Sequence, residues 1–298
     1  MNDHQKNQFP GNKEEIMQEL PDRQFVKLDY WFTQDKELDL ENPTTFDEKI
    51  NWLKLYNHRS EYTKMVDKYE VRQYIKEKIG SEYLIPLYGM WENVEEIDWE
   101  ELPNQFVLKT THDSGGVVIC EDKKELDIDQ TKKKLKQFLH YNYFNEGREW
   151  PYKNVKPRIV AEKYMEGRKE QSFKDYKIFC FNGQVKMTLV LTDLQHEENV
   201  TQKFYNRDWE LMPLKESDSP HSDEAIERPY NYQEMIKVAE TLAEDIPFVR
   251  VDLYEINQKV YFGELTFFPN KGQNTFEPEK YNEILGSWLK LPKEKVIG

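Results

Sequence analysis

The sequence predicts an α+β protein in which antiparallel hairpins are backed by helices. Two observations carry that expectation. Short runs rich in β-branched and aromatic residues pair around turn signals, most clearly "DYKIFCFNGQVKMTLVL" with Asn182-Gly183 at its centre. Between such runs lie segments whose apolar residues recur at helical spacing, such as Met235, Val238, Ala239 and Leu242 in "NYQEMIKVAETLAED". There is no internal repeat or low-complexity tract.

The elements follow in order. The first 20 or so residues are polar, and "FVKLDYWF" is the first apolar stretch. In "NPTTFDEKINWLKLYN", Thr45 and Glu48 have the spacing of a capping box, and Phe46, Ile50 and Leu53 form one face. "SEYTKMVDKYEVRQYIKEKIG" reads as one further helix, with Val71, Ile75 and Ile79 in step and Gly80 as its stop. "YLIPLYGMW" reads as a strand interrupted by Pro86. "NQFVLKTTHDSGGVVIC" gives two strands around a polar, glycine-containing turn. "DQTKKKLKQFLHYNYF" gives a helix and "PRIVAEKYMEG" a strand with an exit loop. A last hairpin, "VRVDLYEINQKVYFGELT", precedes a short helix in "NEILGSWLKLP".

Composition narrows the classes of function. The 298 residues are 38% hydrophobic and 33% charged, which suits a folded chain long enough for a real core. The formal net charge is -14. That argues against broad contact with nucleic acid or an anionic membrane surface, though not against a local anion site. Cys120 and Cys180 both lie in apolar strand runs and read as buried free thiols. No run reaches the length of a membrane helix, and "MNDHQKNQFPGNKEEIMQEL" has no apolar signal core, so a cytoplasmic location is expected.

The last hairpin carries two acids. Strand alternation puts Arg250, Asp252 and Tyr254 on one face and Val249, Val251 and Leu253 on the other. A turn centred on Gln258 sets Asp252 opposite Glu264. A two-residue turn at Asn257 and Gln258 offsets them by one. Like charges placed opposite cost free energy, and a divalent cation such as Mg²⁺ offsets that cost. The alternative is that Arg250 pairs with Asp252 or Glu264. Upstream, Lys109 ends a strand just before Ser114, Gly115 and Gly116. Converging backbone N–H groups and a lysine suit an anion, but an ordinary Gly-Gly hairpin has the same sequence. His112 in that turn reads as a phosphate donor, a substrate contact or a plain turn residue. With Lys177 in "DYKIF", the order is anion-binding groups first and metal ligands last, the parts needed for ATP-Mg²⁺.

That order, with "PTTFDEKINWLKLY", "DKYEVRQYI", "LPNQFVLKTTHDSGG", "REWPYKNVKPRIVAEKYM", "KDYKIFCFNGQ", "RVDLYEI" and "FGELTF", resembles the TupA-like family of the ATP-grasp superfamily from about residue 40 to the end. The resemblance implies an ATP-grasp fold, in which two α+β subdomains clamp a nucleotide, and a link to cell-surface polysaccharide synthesis. It divides the chain into a largely helical region at 1–103, a first subdomain with the glycine turn at 104–165, and a C-terminal subdomain at 166–298. Lys109 resembles the lysine on the α- and β-phosphates. The loop from His112 through Ser114, Gly115 and Gly116 resembles the cover over the phosphates. Glu162, Lys163, Tyr164 and Met165 resemble the adenine hinge, and Glu166 a ribose contact. Lys177 resembles the second nucleotide lysine, and Arg250 the arginine near the acyl phosphate. Asp252 and Glu264 resemble the metal ligands. The superfamily's Glu-x-Asn is here Glu264-Leu265-Thr266, so Thr266, and Asn274 ahead of Asn270, are the candidates for the missing oxygen.

The chemistry implied is an ATP-dependent carboxylate-amine ligase working through an acyl phosphate. Its partners are a small molecule or glycan bearing a carboxylate, plus an amine. The alternatives are a kinase acting on a hydroxyl, a glycosyltransferase, or a nucleotide-binding protein without catalysis. Enzymes of this size often pair, and a homodimer is compatible with the sequence.

Overall fold

The computed structural model describes residues 17–165, 174–192, 200–216 and 225–297. Two antiparallel sheets form its frame. The first combines β1 (Leu87–Trp91), β2 (Phe106–Thr110), β3 (Val117–Cys120) and β4 (Ile159–Lys163) in the order β1-β4-β2-β3. The second combines β5 (Asp175–Phe181), β6 (Gln184–Thr192), β7 (Thr201–Asn206), β9 (Phe248–Ile256) and β10 (Lys259–Thr266) in the order β10-β9-β5-β6-β7. Between β7 and β9, strand β8 (Lys215–Glu216) pairs with β11 (Phe276–Glu277). The first sheet takes its edge strand β1 from upstream of residue 104, so this layer begins earlier in the chain than the expected boundary.

Before β1 come α1 (Asp22–Gln34), α2 (Phe46–Tyr56), α3 (Glu61–Val66) and α4 (Val71–Lys78). The capping box is formed: Thr45 accepts from the Glu48 N–H, and the Glu48 carboxylate accepts from the Thr45 N–H. These helices are not a separate cap. The Phe46 ring lies 5.8 Å from Phe181 and 5.1 Å from Phe248, inside the core of the second sheet. On another side of that core, α7 (Tyr232–Leu242) buries Met235, Val238, Ala239 and Leu242, the expected stripe. The first sheet has its own small core, in which Phe106, Leu108, Ile159 and Ala161 meet Leu135 of α5 (Ile128–Leu139). A single helical turn, α6 (Phe144–Gly147), and the terminal helix α8 (Lys280–Trp288) complete the order.

The segment expected as one helix over 60–80 is two. Asp67 leaves the helical region, with φ -72° and ψ 116°. Its carboxylate instead accepts from the N–H groups of Tyr69 and Glu70 at 2.8 and 3.3 Å, and so serves the start of α4. A short acid that satisfies the next helix's orphan donors makes the break stable.

The Asn182-Gly183 turn is as expected, with both residues at positive φ and Phe181 opposite Gln184. The last hairpin differs in detail. Asn257 and Gln258 form a two-residue turn, with φ 53° and 60° and Lys259 opposite Ile256. That register alone would separate the two acids. A bulge between Phe262 and Glu264 then inserts one residue, and Glu264 comes to lie opposite Asp252. Gly263 permits the bulge: a Cβ there would lie 2.9 Å from the Asp252 carbonyl oxygen and 3.0 Å from the Tyr254 ring.

Candidate active-site cleft

The first sheet has one face against α5 and one face open. Phe106, Leu108, Ile159 and Ala161 point to the helix, so alternation leaves Val107, Lys109, Val117, Ile119, Val160 and Glu162 on the other face. Ile119 is exposed there. Lys109 Nζ donates to Glu162 Oε2 at 2.8 Å, and Glu162 Oε1 also accepts from Arg72 at 3.0 Å. Because β2 and β4 are antiparallel, the segment 162–165 lies at the Phe106 end and the glycine turn at the Thr110 end. The two expected nucleotide elements are thus about 13 Å apart along the strands, four residues at strand rise. The Lys163 side chain is exposed, its N–H donates to the Pro86 carbonyl, and the Tyr164 hydroxyl donates to Glu121. Met165 is half-buried, and Glu166 lies outside the described residues.

The second sheet carries a polar row across three adjacent strands. Lys177 on β5 pairs with Asp252 on β9, and Asp252 with Glu264 on β10. Alongside runs Phe179, Arg250 and Thr266. Asp252 is buried, with a side chain only 1% exposed. It is held by cations on both oxygens. Arg250 donates to Oδ1 and Oδ2 at 2.7 Å each, and Lys177 donates to Oδ2 at 2.7 Å. Lys177 also meets Asp175 at 2.8 Å. Arg250 reaches Glu264 at 3.3 Å and Thr266 Oγ1 at 3.0 Å.

The electrostatics follow from this packing. Burial opposes the Asp252 charge, yet Arg250 and Lys177 outweigh it and hold its carboxyl below the usual range. Arg250 and Lys177 are raised in turn, against burial, chiefly by Asp252. Asp175, which pairs with Lys177 and feels Arg250 more weakly, is pushed by burial up to about 6. The repulsion expected between Asp252 and Glu264 is therefore offset here by Arg250 and Lys177, the pairing alternative. Among the described residues no group of three or more His, Cys, Asp or Glu is arranged to hold a metal ion.

The break at Asp67 does more than end a helix: it delivers Lys68 to the glycine turn. The Lys68 N–H donates to the Thr111 carbonyl at 3.1 Å, and its amine donates to the Asp113 carbonyl and lies 3.8 Å from the Asp113 carboxylate. Burial lowers the Lys68 pKa, and it also feels Asp113, Glu264 and Lys109. Lys68 is thus packed against the glycine turn of the first sheet. No local signal marks it, because only the structure shows that Asp67 leaves the helix just before it. Gly116 closes the turn, since a Cβ there would sit 1.7 Å from Thr110 Oγ1. Gly115 adopts φ 104°, and Ser114 is exposed.

Two candidates are drawn elsewhere. His112 is buried and its Nε2 faces the carbonyls of Phe138 and Tyr141 at 3.1 Å each, at the end of α5; burial lowers its pKa. It ties the turn to that helix. Asn274 is also buried. Its backbone and side-chain N–H groups donate to Asp47 at 3.1 and 2.6 Å, and its carbonyl oxygen accepts from Asn270. Its two N–H groups hold the chain after β10 onto α2, because a buried aspartate needs donors.

A further charged group adjoins the row. Glu149 and Lys54 are both buried, at 4% and 2% exposure. Burial pushes Glu149 up to about 7, with Lys54, Lys271, a Tyr143 hydrogen bond and Arg250 acting against it. Burial brings Lys54 down to about 8. A carboxyl raised in the fold contributes stability at low pH that is lost as pH rises through its folded value. Glu149 therefore lowers stability between about pH 4.5 and 7, whereas Lys54 acts between about pH 8 and 10.5. Glu149→Gln is expected to flatten the fall in unfolding free energy over the lower window. Urea denaturation at a series of pH values checks this; parallel curves for both proteins would mean that Glu149 does not titrate there.

Comparison with known proteins gives a family and a fold. The family described as TupA-like ATPgrasp matches residues 48–290. No curated protein matches the chain. Similar solved structures include a D-alanine–D-alanine ligase from Bacillus anthracis complexed with ATP, with 17% identity and TM-score 0.40, covering 68% of this chain and 53% of that one. Another is the D-alanine–D-alanine ligase of Helicobacter pylori, with 16% identity and TM-score 0.41, covering 76% and 61%. A third is the ATP-grasp ligase PsnB complexed with a phosphomimetic variant of its minimal precursor, Mg and ADP, with 10% identity and TM-score 0.43, covering 80% and 63%. The chain thus spans less than two thirds of the length of each. The family match extends through both sheets, the glycine turn and the acidic hairpin, and the chain belongs to the TupA-like ATP-grasp family, with its ATP-grasp fold.

Proposed function

We propose that this chain is an ATP-dependent ligase that joins a carboxylate to an amine. The observation that carries the reading is that an ATP-grasp chain carries two cationic groups on its sheets: Lys109 and Lys68 at the glycine turn of the first, and the Lys177–Asp252–Glu264 row with Arg250 across the second. Cations from both walls suit a triphosphate, and the apolar open face with Val107, Val117 and Ile119 suits a flat base. In this reading Lys109 and Lys68 hold phosphate oxygens, the 162–165 segment and Glu166 take the nucleoside, and Lys177 and Arg250 stabilise charge on the transferred phosphoryl group. Ser114, Gly115 and Gly116 cover it and keep water from the activated carboxyl.

Asp252, Glu264 and Thr266 are hard oxygen donors on neighbouring positions of one face, the donor type Mg²⁺ takes. Lys177 and Arg250 already mark where positive charge rests against Asp252. Bound there, Mg²⁺ supplies charge neutralisation for phosphoryl oxygens.

Product mass spectrometry after incubation with ATP, Mg²⁺ and pooled sugar acids, amino acids and amines tests the reaction class. Amide product with ADP is expected. A phosphorylated product without amide would identify a kinase instead, and intact ATP across the pool would overturn both. For the metal, Glu264→Gln is expected to raise the Mg²⁺ concentration needed for half-maximal turnover. An unchanged requirement in the folded variant would remove Glu264 from the metal site.

A further inference from the structure

At the base of the glycine turn the Asp113 side chain is wholly buried, with 0% exposure. Thr110 Oγ1 donates to its Oδ2 at 2.6 Å. Gly116 leaves room for that pair, since a Cβ there would lie 2.7 and 3.0 Å from the two carboxylate oxygens. Oδ1 accepts no hydrogen bond among the described residues. A buried carboxylate oxygen left without a donor is costly, so its place in the fold calls for a reason. Its ion-pair partner is Lys68, whose amine lies 3.8 Å away.

Lys68 is held by the same turn at both ends. Its backbone N–H donates to the Thr111 carbonyl, and Thr111 in turn donates to the Arg158 carbonyl at 3.0 Å. The Arg158 guanidinium meets the Asp67 carboxylate at 3.2 Å, which fixes the residue before Lys68. The Lys68 side chain is 19% exposed. An ammonium has three donors. One goes to the Asp113 carbonyl, and the described residues take no other. Three acids act on Lys68, and Lys109 acts against them. Asp67 is committed to the Tyr69 and Glu70 N–H groups and to Arg158, and Glu264 meets Arg250. Of the three, Asp113 is the one that is wholly buried with an oxygen left over.

We propose that Asp113 is a positioning residue that keeps Lys68 charged and aimed at the phosphates, without itself touching the nucleotide. The inference rests on the phosphate role given to Lys68 above and explains how that role is sustained. A lysine largely shut off from water loses its proton readily, and a neutral amine offers phosphate no charge. A carboxylate at 3.8 Å favours the ammonium, yet lies beyond hydrogen-bond reach, so it holds the charge without occupying a donor. Two donors stay available for phosphate oxygens. Burial lowers the Lys68 pKa, and Asp113 is the strongest of the charges opposing that fall.

Calorimetry on the full chain tests this, with a non-hydrolysable ATP analogue and adenosine as probes. The range is about pH 7.5 to 10, where phosphates are fully ionised and lysines titrate. His112, lowered by burial, stays neutral throughout. The ratio of the two affinities isolates the phosphates. It is expected to fall as Lys68 loses its proton. Asp113→Asn keeps an acceptor for Thr110 and should start that fall at lower pH, so that around pH 9 its ratio is about tenfold below that of the unaltered chain. In a Lys68→Met background the same substitution should leave the ratio unchanged, because no ammonium remains to hold. Circular dichroism checks folding, and Asp113→Ser replaces Asp113→Asn should the latter not fold. A ratio changed by the same factor at every pH, or not changed, would overturn the inference and leave the phosphate role of Lys68 standing. No binding of the analogue, or a ratio indifferent to Lys68→Met, would overturn both.

Discussion

Asp252→Ala is expected to destabilise the protein by about 3–5 kcal/mol, the cost of removing one partner from a buried ion pair. Two cations depend on this carboxylate. Among the described residues, Arg250 makes two of four side-chain hydrogen bonds to it, and Lys177, 16% exposed, has Asp175 as its other ion-pair partner. The expected signature is a lower urea midpoint with an unchanged slope. Glu264→Gln is the contrast. Its side chain is 47% exposed and its contact with Arg250 is 3.3 Å, so its loss should change stability by less than about 1 kcal/mol. A stability loss for Asp252→Ala no larger than that of Glu264→Gln would mean that Lys177 and Arg250 find other partners or water. The pair therefore separates two situations within one hairpin: Asp252 organises the row, and Glu264 is held loosely at its exposed edge.

The second large effect is expected at Lys109. Lys109→Ala should weaken ATP binding by roughly 1.5–3 kcal/mol, or about ten- to hundredfold, and leave adenosine binding nearly unchanged. The structure makes this a clean measurement. Glu162, the present partner of Lys109, keeps Arg72 at 3.0 Å, so removing the lysine does not strand a buried acid. Lys109 meets Glu162 directly, and only the residues from Lys163 onward lie at the far, Phe106 end of β2. Calorimetry with both ligands checks the split. Equal weakening of ATP and adenosine would place Lys109 outside the phosphate region.

Elements whose cause is local were legible in the chain. The Thr45–Glu48 box, the Asn182-Gly183 turn and the α7 stripe each depend on residues within a few positions of one another. Long-range packing was not. One helix over 60–80 was the natural reading of Val71, Ile75 and Ile79, because nothing local says that Asp67 prefers to cap the next turn and meet Arg158 at 3.2 Å. Glu149 gave no signal, since its importance is burial. Asn274 looked like a ligand because it follows the hairpin, and only Asp47, 227 positions away, shows where its amide goes.

The acidic hairpin shows where sequence ends and structure begins. Alternation alone put Arg250, Asp252, Glu264 and Thr266 on polar positions, because strand side chains have a fixed period of two. Two registers remained open. Asn257 and Gln258 adopt the two-residue turn that would have parted the acids, and the bulge at Gly263 brings them back, since only a residue without a Cβ fits beside the Asp252 carbonyl and the Tyr254 ring. The sequence by itself determined which residue types stand in the row and the family to which they point. Tertiary structure decided what neutralises them: Lys177 comes from another strand, 75 residues away, and the low-dielectric interior requires a cation at Asp252 whichever residue or ion supplies it.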